Sequence, residues 1–145
     1  MPKITPFLWF DTEAEEAAKF YVSVFKNSRI LSVSPVTVAF EIDGQKVLAL
    51  NGGPHYRLGE AFSFQIDCED QAEVDYFWEA LLSGGGEPSR CGWLKDRYGL
   101  SWQVVPAVLP KLLGDPDREK ANRAQQAMLK MVKLDIAELE RAAAG

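Results

Sequence analysis

Residues 9–25, WFDTEAEEAAKFYVSVF, and residues 65–82, QIDCEDQAEVDYFWEALL, carry one pattern twice. Each copy opens on strand-like residues and an aspartate, passes an acidic capping stretch and enters an amphipathic helix. A shift of 57 positions lays Glu16 on Glu73, Ala17 on Val74, Phe20 on Phe77, Tyr21 on Trp78, Val24 on Leu81 and Phe25 on Leu82. A repeat of this size is a structural unit whose apolar face cannot be buried by one copy alone. The chain is therefore constrained to two similar modules.

Periodicity and turn chemistry fill in each module. Ile4–Phe10 reads as a strand, and Thr12 with Glu15 fits a capping box at the start of a helix that runs to about Phe25. Ala17, Phe20, Tyr21 and Val24 form its apolar stripe. Strands are expected at Arg29–Val33, Val36–Ile42 and Lys46–Leu50, the last two joined by a hairpin turn at Asp43-Gly44. In the second copy Ala61–Cys68 alternates, Asp70 and Glu73 cap a helix to about Leu82, and Ser83 with Gly84–Gly86 ends it. Strands follow near Glu87–Arg90, Trp93–Asp96 and Leu100–Val105. The plan is strand, helix, three strands, twice: an α+β fold of two βαβββ modules at 1–58 and 59–106, forming a cupped mixed sheet within one structural domain. Residues 107–145 are expected to form a helical tail. Asp115-Pro116 suits a helix start, Asp135 with Glu138 suits a second, and Ala121, Ala124, Met128, Met131 and Val132 make a stripe that packs on its own domain or on a second subunit.

Composition narrows the function classes. A net charge of −5 with scattered charges argues against nucleic acid or an anionic membrane as the main partner. No stretch approaches a membrane span, and the opening MPKITPFLWF lacks the long apolar run of a secretory signal. Two cysteines far apart, without a CxxC pair, suit reduced thiols in the cytoplasm.

The segments ITPFLWFD, EEAAKFYVSVF, LALNGGPH, AFSFQIDCEDQAEVDYFWEAL, CGWLKDRYGLSWQVVP and QQAMLKMVKLDIAELE together resemble the PhnB-like family. That family often carries the label 3-demethylubiquinone-9 3-methyltransferase. It belongs to the vicinal oxygen chelate superfamily of glyoxalases, extradiol dioxygenases and bleomycin-resistance proteins. The resemblance implies the paired βαβββ plan, dimerisation, and a longer glycine-rich loop between the second and third strands, where Ile30–Val38 is abrupt. It also implies four metal-ligand positions, typically His or Glu, on the first and last strands of each module.

By strand alternation those positions fall on Thr5, Ala49 (or Asn51 one pleat on), Ala61 and Gln103. Alanine has no donor atom, and Thr and Gln are weak neutral oxygens, whereas a catalytic divalent site needs about three good protein ligands. No metal and no cofactor are therefore expected. The label's methyl donor usually sits on a glycine-rich strand-to-helix turn, but Gly84–Gly86 follow a helix and suit its termination. What remains is a cavity with candidate lining residues Phe7, Trp9, Asn51, Ser63, Gln65, Trp93 and Gln103, an apolar wall with a few hydrogen-bonding groups as small-molecule pockets require. Trp102 has the opposite parity and is assigned to the core. Lys95 and Asp96 read as a surface ion pair. The candidates for chemistry are His55, the one histidine, and Cys91, a thiol that is nucleophilic only where its thiolate is stabilised. The leading expectation is a metal-independent, homodimeric binding protein for a small molecule. The alternatives are an enzyme, of the metal-dependent lyase, isomerase or dioxygenase type, of the methyltransferase type, or metal-free through His55 or Cys91, and a purely structural dimerisation module.

Overall fold

The computed structural model describes residues 3–145 and divides them into two compact units that meet in sequence at Gly59 and Glu60. In the first unit, β1 (Phe7–Phe10) leads to α1 (Ala14–Val24) and then to β2 (Arg29–Val33), β3 (Thr37–Ile42) and β4 (Gln45–Asn51). The sheet order is β1-β4-β3-β2, with β1 and β4 parallel and the other pairs antiparallel. The sequence places one apolar residue in two on the helix side, and Leu8, Phe10, Val38, Phe40, Val47 and Ala49 are buried there with Ala14, Ala17, Ala18, Tyr21 and Val24 of α1. Tyr21 stacks on Phe40 with ring centroids 6.1 Å apart. The β3–β4 turn has left-handed Asp43 (φ 49°) and Gly44 (φ 79°), as a two-residue type I′ hairpin needs. The β2–β3 connection is short, closed by the Ser34 N–H on Thr37 O at 2.8 Å.

The second unit repeats this order. β5 (Ser63–Cys68), α2 (Gln71–Leu82), β6 (Glu87–Pro88), β7 (Trp93–Lys95) and β8 (Ser101–Pro106) make a sheet ordered β5-β8-β7-β6, again with the first and last strands parallel. α2 buries Val74, Trp78 and Leu81. Asp70 accepts from Glu73 N–H at 2.9 Å, while the Glu73 carboxylate reaches back to Glu69 N–H at 2.8 Å, a capping box shifted by one residue. The first module's expected box does not form. Glu13, not Thr12, occupies the cap position and makes no side-chain cap, and the Ala14 N–H instead donates to Asn51 Oδ1 at 2.9 Å from the end of β4.

The tail belongs to this second unit as three helices: α3 (Val108–Leu113), α4 (Arg118–Leu129) and α5 (Ile136–Ala144). α3 lies inside the expected helical tail, although the start signal read there was Asp115-Pro116. Pro110 falls in its first turn, where a missing N–H costs nothing. α4 starts later than Asp115-Pro116, with Asp117 accepting from Glu119 and Lys120 N–H. Val105, Leu109, Leu134 and Leu139 form a buried cluster against which Ala127, Met128 and Met131 pack, so the tail stripe closes on its own unit, with Val132 left half exposed. No helix among the described residues is long and apolar enough to cross a membrane.

Candidate functional site

Register, rather than local sequence, decides which side chains share the face away from α1 and α2. In the first sheet Phe7 pairs with Leu48 and Trp9 with Leu50, so these four occupy the face opposite Leu8 and Ala49. Phe7 is 55% exposed and Trp9 is half-buried, as the alternation of β1 requires. Trp9 is held in place: Nε1 donates to Gly53 O at 2.9 Å, Tyr56 meets its ring edge-on at 5.0 Å, and a Cβ at Gly52 would lie 2.3 Å from the indole. His55 is exposed in the same loop.

Two first-unit positions differ from expectation. Ala49 was placed facing a cavity, but it pairs with Leu8 and is fully buried on the α1 side. Asn51 was placed in the pocket, but its amide caps α1 through Oδ1 and donates to Pro35 O at 3.3 Å through Nδ2. Both misplacements have one cause, the phase of β4, which its parallel pairing with β1 sets.

The second sheet brings four expected pocket residues to one face. Gln65 pairs with Gln103, Gln103 with Trp93, and Ser63 with Ser101, which in turn pairs with Lys95. Gln103 Nε2 donates to Ser63 Oγ at 3.0 Å, and Gln65 Nε2 to Asp67 Oδ1 at 2.9 Å. Trp102 lies on the opposite face, 1% exposed, as assigned. Lys95 and Asp96 do not form the expected surface ion pair. Lys95 Nζ pairs with Glu60 at 2.6 Å, which holds the Glu60 carboxyl below its usual range and raises the Lys95 ammonium. Asp96 is 3% exposed; it accepts from Tyr98 and Leu100 N–H and from Trp102 Nε1. It organises the Asp96–Leu100 turn, an Asx-type arrangement in which a side chain completes the backbone's hydrogen bonding.

Beside this face an open cleft of about 440 Å3 is lined by Glu60, Arg90, Cys91, Trp93, Lys95 and Ser101 among others. Cys91 is half-buried and holds an unusual left-handed backbone (φ 59°), its N–H bonded to Met131 O at 2.8 Å. Ser101, which sequence reasoning missed, has its Oγ buried with no hydrogen-bond partner, the one such side-chain atom among the described residues. Cys68 is fully buried, and burial, followed by the charges of Glu73, Asp67 and Asp70, pushes its thiol up to about 12.

A divalent metal does not fit the four positions. Ala49 and Ala61 have no donor atom, Ala49 faces α1 and Ala61 precedes β5 in a turn, which leaves only the neutral oxygens of Thr5 and Gln103. Among the described residues no group of three or more His, Cys, Asp and Glu stands together as a metal would need. Nor do Gly84–Gly86 form a nucleotide turn. Gly84 and Gly85 have φ of 78° and 118°, and Gly86 N–H returns to Leu82 O at 2.9 Å, closing the end of α2.

No curated protein matches significantly. A PhnB protein from Bacillus cereus, described as a 3-demethylubiquinone-9 3-methyltransferase, is 30% identical over 73% of this chain and 100% of its own, with a TM-score of 0.68. A structure from Pseudomonas aeruginosa shares 18% identity over 73% of this chain and 98% of its own, TM-score 0.59. The fosfomycin resistance protein of Listeria monocytogenes, solved with Mn(II) and sulfate, shares 16% identity over 84% of this chain and 98% of its own, TM-score 0.54. The last two share the fold alone. The family model described as 3-demethylubiquinone-9 3-methyltransferase matches residues 2–105, so the tail block QQAMLKMVKLDIAELE lies outside the matched residues. Two βαβββ modules, the matching family model and the Bacillus cereus relative together make this chain a member of the PhnB-like 3-demethylubiquinone-9 3-methyltransferase family, within the glyoxalase/bleomycin-resistance superfamily.

Proposed function

We propose that this protein binds a small organic molecule without a metal, on the sheet face of the second unit that carries Ser63, Gln65, Trp93 and Gln103. The observation that carries the reading is the register, which lines up two amides, a hydroxyl and an indole away from α2. An apolar wall with a few fixed hydrogen-bonding groups is the composition of a small-molecule site. The poor donor set at Thr5, Ala49, Ala61 and Gln103 supports the metal-free part, and the net charge of −5 supports a small molecule over nucleic acid. A homodimer acting in the cytoplasm is part of the same proposal.

Isothermal titration of the protein with a metabolite library, before and after dialysis against a chelator, tests it. Binding that survives the chelator and weakens about ten-fold in Gln103→Leu, as the loss of one or two hydrogen bonds implies, is the expected result. Stoichiometric Zn, Fe, Mn or Ni in protein purified without chelator would overturn the metal-free reading.

A further inference from the structure

The cleft at β6–β8 holds a hydroxyl that the fold does not use. Ser101 is 1% exposed, yet its Oγ meets no donor or acceptor. Buried hydroxyls nearly always have a partner, because an unmet one keeps its full desolvation cost. Ser101 lines the cleft on the same register row as Lys95, and half-buried Trp93 shares its face. Cys91 stands in the cleft wall. The volume of about 440 Å3 falls within the range of small-molecule sites.

Charge indicates what class would enter. The lining carries Glu60 and Glu87 against Arg90 and Lys95, two of each sign, and Glu60 and Lys95 already neutralise each other at 2.6 Å. Such a rim concentrates neither anions nor cations. An indole face favours a flat apolar body.

We propose that this cleft is the subsite for a small, planar, net-neutral molecule whose polar atom completes Ser101 Oγ, whose body lies against Trp93, and which rests beside the Cys91 thiol. The assignment rests on the small-molecule reading above and deepens it by naming the place and the ligand class.

The probe is 2,2′-dithiodipyridine, which is planar and neutral and carries a ring nitrogen able to accept from a hydroxyl. The Cys91 sulfur attacks one sulfur of the probe as a thiolate, its proton passing to solvent. A new disulfide forms, the probe's S–S bond breaks, and pyridine-2-thione is released and read by absorbance. Cys68 is fully buried, and Cys91→Ser supplies the blank. The rate of thione release in the wild-type protein is expected to saturate with probe concentration, because binding precedes transfer. Ser101→Ala should raise the half-saturation concentration about five-fold, the worth of one hydrogen bond, with the maximal rate held. Trp93→Leu should raise it independently. A rate that stays linear in probe concentration, or a half-saturation unchanged in both variants, overturns the subsite. Library ligands that bind wild type and Ser101→Ala equally by calorimetry would remove this subsite and leave the broader small-molecule reading standing.

Discussion

Trp102 Nε1 donates to Asp96 Oδ2 at 2.9 Å, tying a fully buried indole to a carboxylate that is itself 3% exposed. The other oxygen of Asp96 takes the N–H groups of Tyr98 at 2.8 Å and Leu100 at 3.1 Å. One side chain thus fixes the turn that starts β8 and the aromatic that fills the core under it. Asp96→Ala strands three donors, two of them backbone, and is expected to cost about 3 kcal/mol. Asp96→Asn also loses stability, since its amide NH2 presents a donor where only acceptors serve. Urea unfolding followed by tryptophan fluorescence measures both; an Ala variant within about 0.5 kcal/mol of wild type would contradict the assignment.

Asn51 makes a parallel case in the first unit. Asn51→Ala should cost about 1 kcal/mol through loss of the cap on α1. Asn51→Asp keeps an acceptor for the Ala14 N–H but turns a second oxygen towards Pro35 O, so it should recover part of that loss. Equal losses in the two variants, by thermal melting, would show that the cap is not what Asn51 supplies.

Ser101→Ala should act in the opposite direction. In the ligand-free protein it removes an unpartnered buried hydroxyl and is expected to stabilise by about 1 kcal/mol, a rise of about 3 °C in Tm. A fall in Tm would mean that the hydroxyl has a partner in the free protein.

Cys68 gives the fold an alkaline limit. Its thiol sits at about 12 against an ordinary 9.0, chiefly through burial and then through the charges of Glu73, Asp67 and Asp70. Above about pH 9 the unfolded chain releases this proton while the folded chain keeps it. The contribution is therefore whole below pH 9 and declines as pH rises towards 12, by at most about 1.4 kcal/mol per unit. Cys68→Ala lacks that term, so between pH 8 and 10.5 wild type should lose stability faster than the variant in paired urea titrations. Parallel pH profiles would refute the effect.

Gly92 is where the tail meets the sheet. Its φ is 85°, its N–H donates to Val132 O at 2.8 Å, and an added Cβ would lie 2.8 Å from Val104 O and 2.9 Å from Leu134 Cδ1. Gly92→Ala is expected to cost about 2–3 kcal/mol and to raise hydrogen exchange across 131–145. Exchange that stays protected there would show that the tail docks independently of this contact. Gln71 of α2 supports the same docking by donating to Leu134 O and accepting from Ile136 N–H.

Much of this architecture was legible because it is written in short-range signals. Alternation separated Leu8 and Phe10 from Phe7 and Trp9, the Asp43-Gly44 pair marked a hairpin, and helical spacing marked α1 and α2. What escaped depends on distant partners or on residues with two meanings. The cap on α1 comes from Asn51, so the local Thr12/Glu15 pattern was misleading. Ala49 carries no polarity to reveal its face, and only pairing with Leu8 settles it. The start of α3 carries no such signal, since Pro110 sits in its first turn, where a helix tolerates it. Asp96 read as surface because charge usually is. Its signal was the Asp-x-x-Gly-Leu spacing, which lets one carboxylate serve the following turn. The orphaned Ser101 hydroxyl is invisible in sequence, since it is defined by partners it does not have.

The Ala14–Asn51 bond also sets an order of events. The two residues are separated by 37 positions, so α1 cannot finish its opening turn from its own neighbourhood. Until β4 lies alongside β1, that first N–H of α1 has only solvent to bond to, so closing the sheet also fixes where the helix begins.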